Sequence, residues 1–457
     1  MDNNELDIEL RGVLQKTASP VPDAIRLRID ETLLSLNPQK GRSKRSRSIT
    51  AKGLVAAAAL FLLLASTSLF SPIMAQALSD APIIGSVFQA IGDAGIRLSD
   101  EKGLVTKLNE AAEDQGIEMT ITEVLYDGIR LSIGYRIRTE DDLRPGEVEL
   151  RINGKEPSSY SSSGNWYQTE DGYSGILTYD ANDKWPKRFN LTIHLKSMDN
   201  FTRVKEGSGV GVIKGSWKFK LPVRKLKEGL TVRTFDEDPP STSFGEKQIA
   251  VTGVILTPAV TAISLNLTAP DGDSPFDSRY FVYDDQGRQL ESFGSSSTSE
   301  AYKEGEAHTT KVWVHAAPLQ SVPKYLTLKP YNAGYGSSPA TLSKTPVIRN
   351  QLPVTIQQGE AGTITVTEIE VLSDKTKVYY YVEGSDPYRQ AYSLMLEDSD
   401  GNSYAHPDSL PTAATGKSYA FVQDFLPVAA DKSLVLVTAE LPAPKIFEEL
   451  AIQIPLK

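Results

Sequence analysis

The chain contains no cysteine among its 457 residues. This absence excludes disulfide bonds, thiol nucleophiles, iron–sulfur clusters and cysteine zinc sites. Histidine is also scarce: the four are His194, His308, His315 and His406, and no two stand at a metal-ligand spacing. We expect His194 and His315 to be ordinary strand residues. The sequence therefore predicts no metal and no cofactor.

Several catalytic motifs are missing as well. The sequence has no G-x-S-x-G elbow of hydrolases, no H-E-x-x-H zinc motif and no G-x-x-x-x-G-K phosphate loop. We therefore expect a protein that is not an enzyme. An envelope enzyme would need a cluster of residues, such as a pair of carboxylates, that only the fold brings together.

Two acidic clusters could supply the oxygen ligands that calcium prefers. They are Asp271, Asp273 and Asp277, and Glu397, Asp398 and Asp400. In the second cluster Gly401 stands at the fourth loop position rather than the sixth, and Ser409 stands where a calcium loop has glutamate. We favour hairpin turns, because Asp, Gly and Asn supply the backbone angles that turns need.

Aromatic residues cluster in the serine-rich stretch "SSYSSSGNWYQTEDGY", which contains Trp166 and Tyr167. Exposed rings of this kind can stack on sugars. We favour a hairpin whose rings cover the edge of a sheet.

Charge is divided unevenly along a chain whose formal net charge is −10. Residues 1–52 hold 10 Lys and Arg against 7 Asp and Glu, whereas the remainder holds 38 against 51. Because like charges repel, the acidic remainder argues against nucleic acid and anionic polymers as its main ligands.

An uncharged apolar run, Gly53 to Phe70, follows a basic cluster that ends at Lys52. As a helix it would span about 27 Å, close to the apolar thickness of a bilayer. The next basic residue is Arg97. The positive-inside rule therefore predicts a single membrane helix over 53–75, with the N-terminus in the cytoplasm and the bulk of the chain outside the cell membrane. The alternative is a signal peptide cleaved near "MAQA", residues 74–77.

The segment before the membrane, 1–52, is predicted to form two short amphipathic helices, because apolar residues recur at helical spacing. The apolar stripe consists of Leu6, Leu10, Val13, Leu14, Ile25, Ile29 and Leu33. So short a piece cannot bury much surface by itself. The stripe would close a small hairpin, lie on the membrane or dock on a partner, and we favour the partner.

Beyond the membrane, residues 76–115 are predicted to form a helical neck, after which the apolar period changes from 3.6 to 2. A 19-residue strand–turn–strand outline occurs three times, beginning at Ile117, Ile249 and Ile364, which are 132 and 115 residues apart. This spacing suits β-sandwich domains. We predict a mainly β protein with about three Ig-like antiparallel β-sandwiches over 116–225, 245–345 and 356–457, joined by linkers near 225–245 and 345–356.

Two stretches, "DAPIIGSVF" and "DQGIEMTITEVLYDGIRLSIGY", resemble a family of single-pass membrane proteins of spore-forming Gram-positive bacteria. In that family an uncharacterised extracytoplasmic domain follows the helix, often with Ig-like domains after it. Many members resemble anti-sigma factors, and the resemblance implies a tail that binds an extracytoplasmic-function sigma factor. The zinc motif of the commonest anti-sigma domains is absent from this tail.

The leading hypothesis is thus a membrane-anchored, anti-sigma-factor-like regulator whose ectodomain senses or scaffolds outside. Its partners would be the sigma factor and the lipid bilayer, without direct contact with nucleic acid, and the sequence does not reveal the extracellular ligand. The alternative is an envelope-anchored binding or adhesion module without catalytic activity.

Overall fold

The structure is a computed structural model. It describes residues 86–157, 160–169, 171–181, 185–202, 210–226, 231–270, 279–299, 307–334, 341–347, 351–406, 409–414, 419–429 and 432–457. All of them belong to one compact unit, residues 84–457. The predicted tail (1–52) and membrane helix (53–75) lie outside the described residues. Within the described residues, no helix is both long and apolar enough to cross a membrane.

Short helices and many strands make up the described chain. The helices are α1 (Val87–Ile91), α2 (Ala94–Glu101) and α3 (Pro387–Ala391), with 3₁₀ turns at Gly359–Ala361 and Glu448–Leu450. The strands are β1 (Thr106–Asp114), β2 (Ile117–Tyr126), β3 (Arg130–Arg138), β4 (Leu143–Pro145), β5 (Val148–Ile152), β6 (Ser162–Thr169), β7 (Gly172–Asp180), β8 (Arg188–Asn200), β9 (Gly211–Arg224), β10 (Thr231–Thr234), β11 (Ser241–Phe244), β12 (Lys247–Leu256), β13 (Thr261–Ala269), β14 (Arg279–Tyr283), β15 (Ser292–Ser299), β16 (His308–Ala316), β17 (Tyr325–Asn332), β18 (Leu342–Pro346), β19 (Val354–Gln357), β20 (Gly362–Val371), β21 (Thr376–Gly384), β22 (Met395–Asp398), β23 (Thr412–Ala413), β24 (Ala420–Phe425), β25 (Leu434–Ala439), β26 (Lys445–Ile446) and β27 (Ile452–Pro455). The predicted mainly β fold class is confirmed.

The strands form antiparallel sheets that pair face to face around three apolar cores, and we call each pair a sandwich. Sandwich 1 packs the sheet β1-β2-β3-β7-β6 on β4, β5, β8 and β9. Sandwich 2 packs β10-β12-β13-β16-β15, with β11 beside β12, on β14, β17, β26 and β27. Sandwich 3 packs β19-β20-β21-β24-β23 on β18-β25-β22. The larger sheet therefore has the same strand order in all three, with the predicted hairpin at its centre.

Each central hairpin carries a β-bulge at a threonine. The strand register shifts between Ile121 and Glu123 in β2, between Val251 and Gly253 in β12, and between Val366 and Glu368 in β20. The residues skipped are Thr122, Thr252 and Thr367, which are 130 and 115 residues apart. A bulge moves the following side chains to the other face. In β2, burial in the core accordingly passes from odd positions up to Ile121 to even positions from Val124.

Sandwiches 2 and 3 exchange their closing strands. In sandwich 1 the central strand β8 of the smaller sheet pairs with β9, the next strand along the chain. In sandwich 2 the equivalent place beside β17 is taken by β27, with Leu326 opposite Ile454. The strand that follows β17 along the chain, β18, instead pairs with β25 of sandwich 3. The last predicted domain, 356–457, therefore gives its final strand to its neighbour and receives one from it.

The predicted helical neck, 76–115, is wrong at its C-terminal end. The described part is helical in α1 and α2, but residues 106–114 form β1. Alanine and glutamate in this stretch favour a helix intrinsically. A tight turn at Gln115 and Gly116, both at positive φ, nevertheless brings β1 alongside β2. Pairing with the sheet overrides the local propensity.

The predicted linker 225–245 also contributes to a sheet. Its strands β10 and β11 both pair with β12 and cover the edge of the larger sheet of sandwich 2. The short stretch between β18 and β19 is the place where the chain passes from one sheet of sandwich 3 to the other.

Candidate functional site

A cleft of about 620 Å³ opens where the three sandwiches meet. Its lining contains six ionisable or aromatic polar side chains: Asp93, Arg130, Asp180, Glu291, His315 and Tyr392. They come from the neck, from β3 and β7 of sandwich 1, from the start of β15 and from β16 of sandwich 2, and from the end of α3 in sandwich 3. The cleft is therefore built by the neck and all three sandwiches.

Two hairpin turns meet beneath the cleft. The carboxylate of Asp127 accepts hydrogen bonds from the backbone N–H groups of Ile129 and Arg130 at 2.8 and 2.7 Å, which fixes the β2–β3 turn. It also accepts one from the hydroxyl of Thr257, in the β12–β13 turn, at 2.9 Å. Burial raises the pKa of Asp127 despite these hydrogen bonds and the charge of Arg130. The turns of two sandwiches thus share one buried carboxylate.

Arg130 holds the neck against both sandwiches. Its guanidinium, only 6% exposed, forms an ion pair with Asp93 at 2.6 Å and donates to the carbonyl oxygen of Ala259 at 3.1 Å. It also stacks over the ring of Phe293, 4.9 Å from the centroid. Burial opposes protonation, but the charge and hydrogen bond of Asp93 outweigh it and raise the pKa of Arg130. A side chain at Gly95 would overlap Ala259, so glycine is needed for this close contact.

Asp180 and His315 face each other across the same junction. Asp180 accepts a hydrogen bond from the hydroxyl of Ser161 at 2.6 Å, and its Oδ1 lies 3.9 Å from Nδ1 of His315. His315 is 3% exposed, and its Nε2 has no hydrogen-bond partner among the described residues. Burial lowers the pKa of His315 to about 4, against the opposing charge of Asp180. The imidazole is therefore neutral at pH 7.

Sandwich 3 reaches the cleft through Tyr392, directly after α3. Its hydroxyl donates to Oε1 of Glu291 at 2.6 Å. Burial raises the pKa of Glu291, although the Tyr392 hydrogen bond works in the opposite direction. Nearby, the backbone N–H of Gln289 donates to the hydroxyl of Tyr419 at 2.7 Å. These contacts tie the start of β15 to sandwich 3.

The neck is fastened to sandwich 1 by a second buried carboxylate. Glu123, beside the β2 bulge and 1% exposed, accepts hydrogen bonds from the N–H of Phe88 at 2.6 Å and from the hydroxyl of Ser86 at 3.0 Å. Lys107 bridges Glu123 and Asp100 at 2.5 and 2.6 Å. Burial disfavours the lysine charge, but the two carboxylates outweigh it and raise the pKa of Lys107. Glu123 of the sheet therefore holds the first turn of α1 in place.

The arrangement at the cleft is suited to binding. Three carboxylates and one guanidinium line the cleft, and that guanidinium is already paired with Asp93. The charge of Arg97, outside the lining, also acts on Glu291. The remaining acidic groups favour a cationic ligand group over an anionic one. In the described part of the chain, no three His, Cys, Asp or Glu residues are close enough to hold a metal ion.

The residues that the sequence singled out lie mostly elsewhere. The tail stripe Leu6, Leu10, Val13, Leu14, Ile25, Ile29 and Leu33 lies outside the described residues, as do Asp271, Asp273 and Asp277. The second acidic cluster forms a hairpin turn with Gly401 at φ +85°. There Asp398 accepts hydrogen bonds from the backbone N–H groups of Asp400 and Asn402. The side-chain amide of Asn402 also donates to Asp398, and this hydrogen bond above all holds the pKa of Asp398 well below its usual range.

The aromatic stretch forms the predicted hairpin, β6 and β7. Tyr167 is buried against the neck helices, whereas Trp166 is 44% exposed and stacks under the guanidinium of Arg144 at 4.1 Å. His194 and His315 lie on β8 and β16, as expected for strand residues. Only His315 belongs to the cleft.

Sequence reasoning missed Arg130, Asp180 and Glu291. Arg130 alternates with the core residues Leu131 and Ile133 and so has the position of a solvent-facing side chain. It is buried because the neck and sandwich 2 cover the outer face of β3. Every residue of β3 from Arg130 to Tyr135 is buried, because both faces of the strand are covered. The alternation of apolar and polar residues in the sequence does not reveal a strand that is covered on both faces.

Two family models match parts of the chain. A domain of unknown function, DUF4179, matches residues 45–139. A family of unknown function, DUF5643, matches residues 239–356. The first match begins in the basic cluster and ends after β3, and it contains both stretches on which the predicted resemblance rests. The second covers the larger sheet of sandwich 2 except β10, together with β14, β17 and β18.

Comparison with curated proteins found no match. Among solved structures, the chain is similar to a conserved domain protein from Bacillus anthracis, with 21% sequence identity and a TM-score of 0.42. That similarity covers 58% of this chain and 90% of the other.

Proposed function

We propose that the protein is a membrane-anchored regulator whose cytoplasmic tail binds and sequesters an extracytoplasmic-function sigma factor. The observation that carries the proposal is the order along the chain. An amphipathic segment of 52 residues, a basic cluster and an uncharged apolar run precede the large β ectodomain. A short piece on the cytoplasmic side with an apolar stripe has surface to offer a partner. Three Ig-like sandwiches outside the cell belong to the same proposal.

The match to DUF4179 supports the linkage of these parts. It begins at residue 45, within the basic cluster, and continues through the apolar run and the neck into the first hairpin. The membrane segment and the beginning of the ectodomain thus fall within one family model. The tail has neither histidine nor cysteine. Sigma-factor binding would therefore use the apolar stripe rather than a zinc fold.

Release of the sigma factor would follow a change outside the membrane. The neck helices are pinned by Glu123 and Arg130, so a change at the junction of the sandwiches would reach the segment nearest the membrane first. A single helix transmits small movements poorly. We therefore favour proteolysis near the membrane as the signal, and a cleavage product that appears under envelope stress would support it.

Co-purification of the full chain with a sigma factor encoded beside its gene tests the proposal. We expect a stable complex that is lost when Leu10→Asp and Ile29→Asp place charge in the stripe. The matched control is Gln15→Asp with Ser35→Asp, which adds the same charge off the stripe and should leave the complex intact. Equal binding by both pairs of variants would refute the stripe, and no complex with the unaltered chain would refute the regulator.

The cleft favours a second candidate function, an envelope-anchored binding module. Its volume of about 620 Å³ lies within the range of known ligand sites. Deletion of residues 1–45 separates the candidates. If sigma-dependent transcription is unchanged by the deletion, the regulator is excluded and the binding module is favoured.

A further inference from the structure

Two sheet edges border the cleft. The stretch 161–165, at the start of β6, and the stretch 291–295, at the start of β15, both line it. Among the described strands, β6 pairs only with β7 and β15 pairs only with β16. Each strand therefore presents one row of backbone N–H and C=O groups that no described strand occupies.

The edge of β6 lacks the usual protection against pairing, whereas that of β15 is protected only by a bulge. Natural edge strands carry lysine, proline or inward charges that prevent another strand from adding to the sheet. Neither "SSGNWYQT" of β6 nor "SFGSSSTS" of β15 contains a charged residue or a proline. β15 has a bulge between Ser292 and Gly294, and its register is regular from Ser295 onward. Small serine and glycine side chains leave the backbone accessible.

The floor of the cleft supplies charge. Asp93 is paired with Arg130, which leaves Asp180 and Glu291 as the carboxylates of the lining without an ion pair to Arg130. The hydrogen bonds that these two carboxylates accept come from neutral hydroxyl groups. Nδ1 of His315 lies on the side of Asp180, and its Nε2, which has no hydrogen-bond partner among the described residues, can accept one when the proton is on Nδ1. The floor therefore matches a side chain that is cationic and rich in hydrogen-bond donors.

We propose that the cleft binds an extended peptide that pairs its backbone with the edge of β6 or β15 and places a lysine or arginine side chain at Asp180 and Glu291. Strand addition of this kind takes its affinity from main-chain hydrogen bonds and its specificity from side-chain pockets. The proposal gives the ectodomain a ligand class, and it does not depend on sigma-factor binding by the tail.

The test uses the full chain in detergent micelles and three pools of blocked pentapeptides with lysine, glutamine or glutamate at the centre and mixed residues elsewhere. Affinity selection with mass spectrometry identifies the peptides retained. We expect retention from the lysine pool. Asp180→Asn with Glu291→Gln should weaken the retained peptides about tenfold or more, because charge-assisted hydrogen bonds are lost. The matched control Glu368→Gln, on the exposed face of β20, should leave affinity unchanged.

Two further measurements separate strand addition from other modes of binding. N-methylation of every second peptide amide should abolish binding when the methylated N–H groups face the strand edge. Methylation of the other set should leave binding unchanged, because only alternate N–H groups face the edge. Lysine amide alone should bind far more weakly than the retained pentapeptides. Thermal unfolding confirms that the double variant is folded, since asparagine still accepts the Ser161 hydrogen bond.

Three outcomes would overturn the proposal. They are no retention from any pool, equal affinity of the double variant, and equal affinity of lysine amide, which would indicate a small-molecule site. The tail variant Leu10→Asp must bind the peptides normally. A failure of the sigma-factor proposal is thereby distinguished from a failure of this one.

Discussion

The exchange of closing strands predicts that a change near the C-terminus destabilises sandwich 2. Ile454 is fully buried and lies opposite Leu326 of β17, within the core of sandwich 2. Ile454→Ala removes buried apolar surface and leaves a cavity, which costs about 2–5 kcal/mol of unfolding free energy. The neighbouring Gln453 is exposed on the same strand. Gln453→Ala is therefore the matched control, and we expect it to cost about 0.5 kcal/mol or less.

Hydrogen exchange of the full chain locates the effect. For Ile454→Ala we expect faster exchange of the backbone amides of β17 and β14, more than 100 residues away in sequence, with β20, β21 and β25 much less affected. Protection in native-state exchange reports local opening free energies, so a loss of this size is readily measured. Faster exchange confined to β20, β21 and β25 would refute the exchange and would mean that the last strand closes sandwich 3.

Three further predictions concern the buried charges. Because the pKa of His315 is about 4 in the folded state and about 6.5 when unfolded, protonation favours unfolding between these values. The free energy of unfolding should therefore fall as the pH drops from 6.5 to 4, by on the order of 3 kcal/mol relative to the His315→Gln variant. The charges that face the ring are Asp180, Arg130 and Asp93. Parallel pH profiles of the two proteins in urea unfolding would contradict this prediction. Arg130→Met should lower the free energy of unfolding by about 3–5 kcal/mol, because it leaves Asp93 unpaired. Adding Asp93→Asn should restore part of that stability. If it restores none, the ion pair does not account for the loss. Glu123→Ala should lower the free energy of unfolding by about 1–3 kcal/mol, because the Phe88 N–H loses its acceptor. It should also speed hydrogen exchange in α1 and α2. Unchanged exchange in these helices would show that Glu123 does not fasten the neck.

The central hairpins could be predicted from the sequence because a period of two is a local signal. The strands at Ile117, Ile249 and Ile364 lie where the alternation places them. The bulges could not be predicted in this way, since each one interrupts the alternation. In retrospect, the shared Thr122, Thr252 and Thr367 mark the true repeat, two residues out of register with the predicted first copy.

The cleft was beyond sequence reasoning for a different reason. Arg130 and Asp180 are register partners on β3 and β7 of sandwich 1, and they meet Ala259 and His315 of sandwich 2 only after the domains assemble. No local sequence pattern encodes an interface between domains. The exchange is hidden in the same way. A closing strand has the same alternation whether it completes its own sheet or that of a neighbour, so "ELAIQIPLK" predicts a strand and not its partner.

The exchanged strand sets the order in which the three sandwiches can be completed during synthesis. Sandwich 1 closes with β9, its own next strand, and can fold while the rest of the chain is still being made. The core of sandwich 2 has its first strands before residue 260 but needs Ile452 and Ile454, which follow every strand of sandwich 3 along the chain. Until then its sheet keeps an open edge beside β17. Completion of sandwich 2 therefore waits until the whole of sandwich 3 has been synthesised, and it depends on contacts between strands far apart in sequence.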